Sequence, residues 1–102
     1  MDEQRNHKRA RVKMRVAYRS DDQVYKRGRV RNISRSGMFV DTESPQTSDE
    51  YVIASLDVED FGKVVWVQGR VVRNTNEGMA VVFTRTDEKG LDALMSFQGI
   101  PF

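Results

Sequence analysis

The sequence predicts an all-β fold, a six-stranded antiparallel β-barrel with a C-terminal α-helix and a flexible basic N-terminal arm. Three observations carry that expectation. Apolar residues alternate with period two in short stretches, turn-forming residues separate those stretches about every 8 to 12 residues, and the period becomes helical only at the end. A closed barrel also removes the unpaired edges that an open sheet of this size would expose. The 102 residues suffice for one domain, 1–102, read as an arm over 1–11, a barrel over 12–85 and a helix over 86–98.

Strand one alternates cleanly. Val12, Met14, Val16 and Tyr18 face one way, while Lys13, Arg15, Ala17 and Arg19 face the other. The polar run Ser20 to Gln23 turns the chain into a second strand through Tyr25, Arg29, Val30 and Ile33, with Gly28 marking a bulge or a close backbone approach. Asn32 to Gly37 interrupts the pattern with turn residues, and Met38-Phe39-Val40 resumes it. After a loop at Ser44 to Asp49, strands are expected over Tyr51 to Val58, Val64 to Val72 and Met79 to Phe83, the last two joined by a turn at Thr75-Asn76-Glu77-Gly78. Leu91, Leu94 and Met95 then fall on one helical face, and Asp87 and Glu88 suit the first turn of a helix starting near Thr86.

Composition narrows the chemistry. With no Cys and a single His, His7, the chain has no thiol nucleophile, no disulfide and no Cys or His zinc set, so neither metal nor cofactor is expected. The loop Asp57-Val58-Glu59-Asp60-Phe61-Gly62 lacks the alternating oxygen ligands of a calcium loop and reads as a solvated strand turn. His7 has nothing in sequence to orient it as a base, and no glycine-rich phosphate loop is present, so an enzyme is not expected. The first residues, MDEQRNHKRAR, contain no apolar segment, and no membrane insertion is expected; the expected location is the cytoplasm.

Charge is divided unevenly. Residues 1–35 carry 12 Lys and Arg against four acids, a net of +8, whereas residues 36–102 carry five against 11, a net of −6. Twelve of the 17 cations are Arg, the side chain suited to bidentate phosphate contacts and to stacking on bases. An anionic ligand is therefore expected at the basic half. Arg5 and Arg9 form an RxxxR pair, a spacing that recurs at Arg11/Arg15, Arg15/Arg19, Arg27/Arg31 and Arg31/Arg35. Position distinguishes the first pair, because it precedes strand one and is free to fold over a ligand. The second element, Asn32-x-Ser34-x-x-Gly37, is the sequence of an Asx or Ser turn in which Gly37 supplies a positive φ.

In this order, these residues resemble the PilZ domain, a bacterial receptor for cyclic di-GMP. Arg5-Asn-His-Lys-Arg9 followed by Ala-Arg-Val-Lys-Met-Arg-Val-Ala-Tyr is similar to the family's RxxxR and first strand. Asn32-Ile-Ser34-Arg-Ser-Gly37-Met-Phe-Val resembles its D/N-x-S-x-x-G turn, and Gly62 to Val67 with Gly78 to Phe83 its late hairpin. The resemblance implies a PilZ-like split barrel that binds cyclic di-GMP on its outer surface, with Arg5 and Arg9 on phosphates or guanine planes, Asn32 and Ser34 on a guanine edge, and Gly37 admitting the backbone. Gln4 stands where many members carry a further Arg, which leaves open whether the ligand binds singly or as a stacked pair. Arg35 and Arg11 are additional candidates for phosphate contacts. Trp66, within Val64-Val65-Trp66-Val67, is expected in the core, with a stacking wall as the alternative. The implied output is a changed surface presented to an effector protein in motility, adhesion or biofilm control. The alternatives are a small nucleic-acid-binding barrel, disfavoured because residues 1–35 contain only Tyr18 and Tyr25 as aromatics, and a non-binding interaction module of the same fold.

Overall fold

The computed structural model describes residues 13–21 and 24–99. Its strands are β1 (Met14–Arg19), β2 (Lys26–Ile33), β3 (Gly37–Asp41), β4 (Tyr51–Val58), β5 (Val65–Asn74) and β6 (Gly78–Thr86), followed by α1 (Glu88–Phe97). Every pairing is antiparallel, and the order β1-β2-β3-β6-β5-β4 closes through β4 onto β1. Closure follows from the alternation: Met14, Val16 and Tyr18 face inward, as do Val52, Ala54, Leu56 and Val58 of β4 and Val65, Val67 and Val71 of β5. These side chains fill the lumen as one core.

Each mouth is closed differently. At one, α1 inserts Leu91, Leu94 and Met95 into the same core. β6 runs on to Thr86, so the helix starts at Glu88, and Asp87 is its N-cap, its carboxylate accepting from the Gly90 amide at 3.1 Å. At the other mouth the loop after β3 brings polar groups together. Gln46, 3% exposed, accepts from Lys26 Nζ at 2.9 Å and donates to Ser20 Oγ at 2.7 Å. Tyr18 Oη donates to the Ser44 carbonyl at 2.7 Å and lies 2.7 Å from Thr42 Oγ1. Burial raises the Tyr18 phenol above its ordinary pKa, partly offset by the Thr42 hydrogen bond.

Of the two readings of Gly28, bulge or close approach, the second holds: a Cβ there would lie 2.6 Å from the Asp41 carbonyl oxygen of β3. Trp66 differs from the sequence reading and is not in the core. Val65 and Val67 take the inward positions, and strict alternation leaves Trp66 43% exposed on the outer face of β5.

Candidate functional site

The β2–β3 turn is built from Ser34 to Gly37. β2 continues through Ile33, so Asn32 belongs to the strand and not to the turn. The Ser34 amide donates to the Gly37 carbonyl at 2.8 Å, and the Ser36 amide donates to Ser34 Oγ at 3.2 Å, closing a Ser turn. The Phe83 amide donates to the Ser36 carbonyl at 2.9 Å, which fastens the turn to β6. Gly37 has no positive φ. Its need is spatial: a Cβ would lie 2.5 Å from the Val81 carbonyl oxygen where β3 pairs with β6.

Two bulges shape the surface beside this turn. Val30 pairs with Val40 and Asn32 with Phe39, so Arg31 is an extra residue in β2. Both Arg31 and Asn32 consequently lie between the buried Val30 and Ile33 without entering the core. In β5, Val71 pairs with Val81 and Arg73 with Ala80, so Val72 is the extra residue and Arg73 is turned outward. Strict alternation would have directed Asn32 and Arg73 into the lumen. The bulges bring them instead to one open groove of about 530 Å³ lined by Arg31, Asn32, Ser34, Gly37, Arg73 and Ala80.

Arg31 is already engaged there. Its guanidinium is 2.6 Å from Asp41 and 2.7 Å from Glu77 and lies 4.5 Å from the Phe39 ring centroid. The bond to Asp41, and then that to Glu77, holds it still more firmly protonated than usual. Arg31 thus stiffens the groove wall, and its charge is matched by acids. The groove has donors and acceptors for a planar polar edge, but Arg73 is its one cation without an acid among the described residues. A ligand with two negative charges requires further cations.

The structure therefore brings Asn32, Ser34 and Gly37 together. Arg35, in the same turn, reaches to α1 and pairs with Asp92 at 3.1 Å. Trp66 lies apart from the groove, paired with Ser55 of β4. Gln4, Arg5, Arg9 and Arg11 lie outside the described residues. Arg73 was missed in the sequence, although an inward-register arginine after Val71 is itself a bulge signal; the polar Asn32 between Val30 and Ile33 is the same signal in β2.

Among the described residues, no helix is long and apolar enough to cross a membrane. A family model described as the PilZ domain matches residues 3–97. Comparison with curated proteins and with solved structures returned no match.

Proposed function

This chain belongs to the PilZ domain family, and we propose on that premise that it is a cyclic di-GMP receptor acting as an adaptor. One observation supports the reading above others: two strand bulges and a Ser turn place Asn32, Ser34, Gly37 and Arg73 on a single groove. Asn32 offers a carbonyl acceptor and an amide donor to a guanine edge, and Ser34 a hydroxyl. Gly37, without a side chain, lets the ligand approach the backbone.

The remaining need is charge. Cyclic di-GMP carries two phosphodiesters, and the groove's own arginines are half neutralised by Asp41 and Glu77. Arg5 and Arg9 supply the difference in this proposal by folding over the dinucleotide, each charge-assisted contact contributing about 1.5–3 kcal/mol. Family members are binding modules, so the output is a change of surface read by an effector protein and not turnover. Motility, adhesion or biofilm control in the bacterial cytoplasm is the proposed setting.

Calorimetry with cyclic di-GMP, with GMP and with a single-stranded oligonucleotide tests the reading. Saturable dinucleotide binding that Arg9→Ala abolishes and Ser34→Ala weakens is expected. Oligonucleotide binding with a steep salt dependence and indifference to Ser34→Ala would overturn it in favour of a nucleic-acid barrel.

A further inference from the structure

A second outer face lies on the other side of β2 from the groove. Arg27 of β2 pairs with Ala17 of β1, Ala17 with Ser55 of β4, and Ser55 with Trp66 of β5. These four residues form one row across four strands, about 14 Å long at the usual strand spacing. The next row contains Arg29, Arg15 and Asp57, with the exposed Val64 just ahead of β5. Between Arg27 and Arg29 on one side and Val64 on the other, the face sinks into a trough of about 470 Å³ whose floor includes Ala17 and Ser55.

Its charges are unequally satisfied. Arg15 pairs with Asp57 at 3.0 Å. Arg27 and Arg29 have no acidic partner among the described residues, in contrast with Arg31 two positions on, which holds two. The opposite wall is the exposed Val64, and the exposed Trp66 lies outside the trough, next to Ser55 at the β5 end of the row. A solvated strand face has no need of an exposed valine facing two unneutralised guanidinia, with an exposed indole at the end of the same row.

From this face we propose a docking surface for an acidic polypeptide segment that also carries an apolar side chain. Carboxylates of the segment pair with Arg27 and Arg29, and its apolar side chain covers Val64 and Trp66, the arginine-and-aromatic pairing on which protein interfaces concentrate their energy. Asp57 argues for a polypeptide over a nucleic acid or an anionic lipid surface. It places a carboxylate within the trough, beside Arg15, that accepts from a backbone N–H between the segment's spaced carboxylates, whereas a phosphodiester strand or a lipid headgroup layer offers a charge at every repeat and no backbone donor. Strand addition is not available to the partner, because the closed barrel presents no free edge, so docking must be side chain to face.

The test uses a fluorescently labelled synthetic peptide of Glu, Leu and Gly, with its Gln-for-Glu counterpart, a thymidine oligonucleotide and phosphatidylglycerol vesicles as competing probes, all on the full chain. The Glu peptide is expected to bind at least about tenfold more tightly than the Gln peptide. The double variant Arg27→Glu/Arg29→Glu should weaken it by a further factor of about ten, and Trp66→Ala by several-fold. Thermal melts should leave all variants folded; should the reversal unfold the chain, Arg27→Gln/Arg29→Gln takes its place. Equal affinity for the two peptides overturns the proposal. So does tighter binding of the oligonucleotide or vesicles through these arginines, or a concentration-dependent dimer that the double variant abolishes, since the occupant would then be a second copy. No probe contains cyclic di-GMP, so failure here leaves the nucleotide reading intact, and failure of that reading leaves this face intact.

Discussion

Arg35, inside the β2–β3 turn, pairs with Asp92 on α1 at 3.1 Å, so the turn that lines the groove is tied to the helix that plugs the barrel. The pair is exposed, and its direct contribution to stability is expected to be small, about 0–1 kcal/mol. Its consequence for binding is larger. If Arg35 turns to a ligand phosphate, it must leave Asp92. Asp92→Asn should therefore raise cyclic di-GMP affinity by a few-fold in calorimetry while shifting the melting temperature little, and Arg35→Ala should lower that affinity. Unchanged affinity in both variants would remove Arg35 from the binding machinery.

Gly37→Ala tests the close approach of β3 to β6. Its Cβ would meet the Val81 carbonyl oxygen at 2.5 Å, a contact the paired backbone has little room to relieve. A loss of about 1–3 kcal/mol in denaturant unfolding is expected, as for other forced overpacking. A variant as stable as the native chain would show that the strands separate easily at this pair.

Arg73→Ala should reduce cyclic di-GMP affinity by about tenfold, the effect of losing one charged hydrogen bond, with the fold intact because the side chain is exposed. Arg85→Ala, an exposed arginine on β6 that does not line the groove, is the matched control and should leave affinity unchanged.

Tyr18 links stability to alkaline pH. Its phenol is buried in the mouth network and titrates above the ordinary value, so the folded state holds that proton more tightly than the unfolded chain does. The associated stability is fully present below the unfolded pKa of about 10 and is lost as pH rises through the folded value. Unfolding followed from neutral to strongly alkaline pH should show a fall above about pH 10 that is reduced in Tyr18→Phe. Tyr18→Phe should also be less stable at neutral pH by about 1 kcal/mol, since it removes the hydrogen bond to the Ser44 carbonyl. An identical alkaline limb in both proteins would detach the effect from Tyr18.

The strands were legible because their information is local. Met14, Val16 and Tyr18 announce an inward face by spacing alone, and Leu91, Leu94 and Met95 announce a helix that must cover apolar groups. Trp66 shows how bulk misleads where period does not: flanked by valines it looks like core, yet two-residue alternation assigns Val65 and Val67 inward and the indole outward. Thr86 went to the strand because pairing with Val67 prolongs the ladder by one more step, which period cannot report.

By itself, the sequence determined six alternating strands, a terminal helix, a basic first third and a Ser turn with a polar residue two positions ahead of it, since each depends on neighbours a few residues apart. Only the tertiary structure decided that Asn32 and Arg73, 41 positions apart, face one groove, that Arg31 is neutralised by Asp41 and Glu77, and that Arg27 and Val64 flank one trough. The physical reason is register. A single extra residue in β2 or β5 reverses the face of every strand residue beyond it, and which residue is extra is settled by the hydrogen-bond ladder with the neighbouring strand, a pairing between segments far apart in the chain.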